Sequence, residues 1–118
     1  MRYVLMICSD EQENAARNPA EEGAMLAAYG PFGDEMGARG VLRDGARLRP
    51  TSDATTVRLR DGEVLTADGP FAETKEQLAG FYLVDAKDLD QAIQLASKIP
   101  PARIGSIEVR PVRELSVD

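Results

Sequence analysis

Three side chains of the 118-residue chain sit where their chemistry could be used: Asp68, Tyr82 and Arg110. Asp68 precedes Gly69-Pro70. A carboxylate held on a rigid turn at a pocket mouth can serve as acid/base or cation ligand. The same Asp can instead cap its own turn, with Gly69 allowing positive φ and Pro70 fixing φ. Tyr82 lies in the apolar run Phe81–Val84. Its phenol is either a buried group with one satisfied hydroxyl or a hydrogen-bonding group in a ligand cleft. Arg110 and Glu108 are two residues apart on a strand pattern, which suits either cross-strand ion pairing or anion recognition by Arg110. Glu73 and Lys75 stand in a charged stretch after Phe71 and would hold a polar ligand group if they faced a pocket. Tyr29 and Phe32 belong to a helical stripe and would line such a pocket as well as the core. Phe71 reads as a core anchor, and Cys8 as an inert core thiol.

Much chemistry is excluded. There is no histidine, which removes His-based triads, the commonest zinc and iron sites and the usual base near pH 7. No metal motif, phosphate loop, nucleophile elbow or dinucleotide fingerprint occurs, so neither a metal nor a cofactor is expected. The net charge of −6 argues against nucleic acid and anionic membrane surfaces as partners. One cysteine cannot form an internal disulfide. The apolar run Tyr3–Cys8 is too short for a signal peptide or a spanning helix, and a cytoplasmic location is expected. With 43% hydrophobic and 29% charged residues, the chain reads as one globular domain, 1–118.

These side chains must be positioned by a short set of elements. Residues 2–8 form a strand with two apolar faces, which calls for cover on both sides. Residues 9–19 are polar and read as loop. Met25, Tyr29, Phe32 and Met36 are spaced as one stripe of a helix over 20–38, with a kink or break expected near Gly30-Pro31. Asp44-Gly45 is a weak hairpin signal within 41–49. Thr55–Arg60 and Glu63–Ala67 flank Asp61-Gly62, the favoured pair for a type I′ turn, which places Arg60 opposite Glu63 and Leu59 opposite Val64. Residues 68–78 read as a turn with one helical turn. A strand follows at Gly80–Asp85. Asp88–Ile99 is a capped helix with Leu89, Ala92, Ile93, Ala96 and Ile99 as its apolar stripe. A last strand covers 106–112. This order predicts an α+β, ferredoxin-like split βαβ sandwich with an inserted β-hairpin.

The string from Asp68 to Leu78 followed by Gly80-Phe81-Tyr82-Leu83, with Ile107–Pro111 and Arg2-Tyr3, resembles the YCII-related family in its DGPF-domain branch. The likeness runs over residues 1–113. It implies a dimeric ferredoxin-like α/β barrel. A dyad proposed in the wider family needs a histidine on the first helix and an aspartate near that helix's end. This chain has neither, reading Gly37-Ala38-Arg39 there. One relative is a dehydrochlorinase of chlorinated aromatics, and some branch members are encoded beside extracytoplasmic-function sigma factors.

Three functions are therefore carried forward. The first is a small-molecule binding or regulatory module without chemistry of its own. The second is an enzyme on a small substrate, aromatic or otherwise, with Asp68 as acid/base and Asp68, Tyr82 and Arg110 converging in a cleft. The third is an interaction partner of a transcription regulator. A homodimer is expected in each case. Strands apolar on both faces need a second cover, and the two helices supply only one.

Overall fold

The computed structural model describes residues 1–115. Among these residues are six strands: β1 Arg2–Ser9, β2 Leu42–Arg47, β3 Thr55–Arg60, β4 Glu63–Asp68, β5 Gln77–Asp85 and β6 Ser106–Pro111. Three helices accompany them: α1 Glu11–Ala16, α2 Pro19–Arg39 and α3 Leu89–Ser97. The architecture is mixed α+β with two antiparallel sheets. One has four strands in the order β2-β5-β1-β6, and the other is the pair β3-β4. No helix among the described residues is long and apolar enough to cross a membrane.

The central strand shows how the core forms. β1 alternates between buried and half-buried residues along its length. Tyr3, Leu5, Ile7 and Ser9 point to the buried side, where Tyr3 and Leu5 sit opposite Val84 and Tyr82 of β5 and Pro111 and Val109 of β6. Phe32 and Met36 of α2 and Ala92, Leu95 and Ala96 of α3 cover this side, forming a single apolar cluster. The other side carries Val4, Met6 and Cys8 opposite Leu83, Phe81 and Leu78. Glu108 and Arg110 flank it on β6. Among the described residues the helices pack on the opposite side, and Val4, Met6 and Cys8 are only half-buried. Cys8 thus lies half-buried on the uncovered side rather than in the core.

Several local expectations give way to packing. Residues 9–19 hold a short helix, α1, because Asp10 caps it through bonds from the backbone N–H groups of Gln12 and Glu13. α2 runs unbroken through Pro31. Pro31 is exposed, and Phe32 and Met36 just beyond it are buried, so packing on the sheet offsets the roughly 3 kcal/mol that an interior proline costs. In α3 the buried positions are Ala92, Leu95 and Ala96, followed by Ile99, while Leu89 and Ile93 remain half in water. Asp88 caps it as read, accepting from the Gln91 N–H. No helical turn forms within 68–78; β5 already begins at Gln77.

Asp44-Gly45 is not a turn. It lies inside β2, where Gly45 pairs with Tyr82. Asp61-Gly62 is one: both residues have positive φ, 50° and 79°, and Arg60 and Leu59 meet Glu63 and Val64. The β3–β4 pair therefore forms the outer end of a long ribbon whose root is β2–β5. Beyond each other, β3 and β4 make no extensive contact with another element among the described residues. This outer pair is called the arm below. Its base is held firmly. The Glu11 carboxylate accepts from the Thr51 N–H at 2.8 Å and its hydroxyl at 2.7 Å, and the Glu11 N–H donates to Gln77 Oε1 at 2.9 Å.

Candidate functional site

A cavity of about 370 Å³ opens between α2 and the covered side of the sheet. That volume lies within the usual range for small-ligand pockets, roughly 300–1,000 Å³. Met25 and Tyr29 of α2 form one wall, and Tyr82 of β5 with Gly45 of β2 forms the opposite one. The stripe spacing of α2 delivers Tyr29 to this wall one turn before Phe32 enters the core. The Phe32 and Tyr82 rings pack with centroids 5.2 Å apart and planes tilted by 48°, which fixes the Tyr82 ring. Gly45 is a glycine for that ring's sake: a Cβ there would lie 2.8 Å from Tyr82 Cδ1 and 3.1 Å from the Phe81 carbonyl oxygen.

The polar part of the pocket is a connected chain across four elements. Asn14 Nδ2 donates to Ser9 Oγ at 2.9 Å. Arg17 Nη1 donates to Asn14 Oδ1 at 2.8 Å, and Arg17 Nε pairs with Glu22 at 3.0 Å. Arg47 approaches the other oxygen of Glu22 at 3.6 Å. Ser9, Asn14, Arg17 and Arg47 all line the cavity. Arg17 is largely shielded from solvent, while Arg47 reaches into it. Sequence reasoning missed these residues because each looks like an ordinary loop or surface side chain. The one signal was position: a polar stretch directly after the C-terminal end of a buried strand.

Electrostatics define what the two phenols can do. Burial pushes the Tyr29 phenol above its ordinary pKa, with the neighbouring Tyr82 adding to the rise and Arg47 and Arg17 opposing it. Burial pushes Tyr82 up as well. Both are therefore neutral at physiological pH and act as hydrogen-bond donors and acceptors rather than as bases.

The other sequence-predicted residues lie elsewhere. Asp68 ends β4 opposite Thr55, exposed at the base of the arm. Beside it the Gly69 N–H donates to the Ala54 carbonyl at 2.7 Å, and Thr56 Oγ1 donates to the Gly69 carbonyl at 2.8 Å. Gly69 has a φ of 95°, as the turn requires. Glu73 and Lys75 border a separate shallow groove with Asp10 and Thr51. Arg110 is exposed on β6 and pairs within its own strand with Glu108 at 2.8 Å. Of the predicted set, the cavity thus brings together Tyr29 and Tyr82, backed by Phe32. Its lining includes neither Asp68 nor Arg110. Phe71 is no core anchor: it is 82% exposed, because Gly69-Pro70 turn the chain outward at the arm's base.

An uncharacterized protein of Rhizobium meliloti (strain 1021) is 40% identical over 114 residues, 95% of this chain and 92% of its own length. The sequence profile of the YCII-related domain matches residues 1–116. The chain therefore belongs to the YCII-related domain family.

Proposed function

We propose that the protein is a small-molecule binding module of the DGPF branch, working as a cytoplasmic homodimer of ferredoxin-like subunits. The pocket carries the binding reading. Its wall is mostly apolar, its two phenols are neutral donors, and its rim is a preformed chain from Ser9 to Arg47. This suits a small, largely apolar molecule with one polar or anionic end, which Tyr29, Tyr82 and Arg47 would orient. The enzyme reading needed Asp68, Tyr82 and Arg110 in one cleft, and the pocket's lining holds only Tyr82.

The strand order β2-β5-β1-β6 supports the ferredoxin-like reading. The uncovered side of the sheet supports the dimer. A single chain exposes 8388 Å². A compact monomer of 12.8 kDa exposes about 6,300 Å². The excess of roughly 2,000 Å² falls in the range of about 1,000–2,500 Å² that each partner gives to an obligate dimer.

The binding reading is tested by native mass spectrometry of purified protein beside the variant Met25→Trp, which fills the pocket. Wild type should carry a small molecule that Met25→Trp has lost. Retention of the same molecule by both would overturn the assignment of the pocket.

A further inference from the structure

We propose that the β3–β4 arm is a docking arm that grips a second copy of this chain. The inference rests on the dimer reading above and extends it to a region that the sheet contact alone would leave unused. The arm is amphipathic. Thr55, Val57, Leu59, Val64, Thr66 and Asp68 share one face, by the pairing of Val57 with Thr66 and Leu59 with Val64. Arg58, Arg60, Glu63 and Leu65 share the other. Alternation of this kind marks a strand pair with one face meant for burial. Yet Val57, Leu59 and Val64 are 63%, 64% and 68% exposed. A lone two-stranded hairpin is marginal in water and needs something to pack on.

The area involved matches a second copy of the chain. The uncovered side of a four-stranded sheet of this length measures roughly 450 Å² in plan, from strand spacing and rise. That is well short of the roughly 2,000 Å² excess surface of the single chain. Accessible area exceeds plan area, but even at twice the plan value, roughly 900 Å², the sheet's side accounts for less than half of that excess. The arm with Phe71 is the apolar surface that extends from its β2–β5 edge. The arm is also aimed in advance: Glu11 clamps its base through Thr51 and Gln77. A prepositioned arm loses less freedom on docking than a loose one.

Sedimentation of wild type and of Val57→Ser/Val64→Ser across nanomolar to micromolar concentration tests this. The variant's dimer should dissociate about ten-fold or more readily, while Leu65→Ser on the opposite face leaves the dimer as tight as wild type. A photo-cross-linking residue at position 59 in the otherwise native chain should give a product of two-chain mass. An equally tight Val57→Ser/Val64→Ser dimer overturns the arm proposal and leaves the dimer standing. So does a cross-link confined to one chain, which would mean that the arm folds onto its own sheet. A wild type of one-chain mass at every concentration overturns the dimer reading itself, and the arm proposal with it.

Discussion

The ribbon from Leu42 to Asp85 has a root and a tip built from similar residues. At the root, β5 pairs with both β1 and β2, and its Val84 and Tyr82 join the core that Phe32 and Met36 of α2 cover, while β2 itself is an exposed edge strand. At the tip, β3 and β4 pair with each other and otherwise stand in water. Each half carries an Asp-Gly pair. At the root, Gly45 has no side chain because Tyr82 occupies the space where one would be. At the tip, nothing lies within 4 Å of a Cβ on Gly62, and glycine is used for its φ of 79°. One residue type thus answers two demands, close approach and left-handed backbone. The root's apolar residues stabilise the fold, whereas those of the tip remain available for a partner.

The difference is broken most directly by trimming one leucine from the core strand that the root pairs with, β1, and one from the tip. Leu5, fully buried beside Tyr82, should cost about 2–5 kcal/mol on replacement by alanine. Leu59→Ala should move the stability of the single chain by no more than about 0.5 kcal/mol. Urea unfolding of both variants at concentrations low enough to dissociate the dimer checks this, and equal losses there would mean that the arm packs on the core of its own chain.

Placing alanine at each glycine sharpens the contrast. Gly45→Ala must displace the Tyr82 ring, costing about 1–3 kcal/mol of global stability and distorting the pocket. Gly62→Ala strains one left-handed residue by about 1–2 kcal/mol, but the loss stays in the arm. Hydrogen exchange should then quicken in β3 and β4 while the melting of the four-stranded sheet barely moves. Global destabilisation by Gly62→Ala would show that the two halves fold as one cooperative unit.

The smallest effect is a titration. Tyr29 and Tyr82 have pKa values raised on folding, so their contribution to stability is complete below the unfolded value near 10. It is lost as pH rises through the higher folded values, because the unfolded chain releases those protons first. Tyrosinate absorbance should show both phenols ionising above pH 10. Ionisation of either at or below its ordinary value would mean that the pocket is wetter than its walls suggest. The arm contains no tyrosine, so this alkaline loss should arise at α2 and the root and leave the β3–β4 pairing unaffected.

Much of the scaffold was legible because local physics decided it. Asp61-Gly62 between matched strands specifies turn and register together, since only that backbone twist joins the flanking residues. Asp88 and Gln91 mark the start of α3, and the spacing of Met25, Tyr29, Phe32 and Met36 gives the inward side of α2. The pocket was half legible. Tyr29 and Tyr82 could be read from apolar patterns, but Arg17 and Arg47 could not. They are 30 residues apart in sequence and meet only because α2 lays Glu22 between them.

Sequence alone determined what lies within one element or one turn: strand alternation, helix stripes, caps, the type I′ turn and the absence of histidine chemistry. Those features depend on residues a few positions apart, whose backbone geometry is nearly the same in any fold. Tertiary structure decided the rest. It turned Asp44-Gly45 from a turn into strand, carried α2 through Pro31, left Phe71 in water and placed Asp68 away from the pocket holding Tyr82. Each of these outcomes depends on which distant surface arrives at that residue, and burial against such a surface outweighs the few kcal/mol by which local preferences differ.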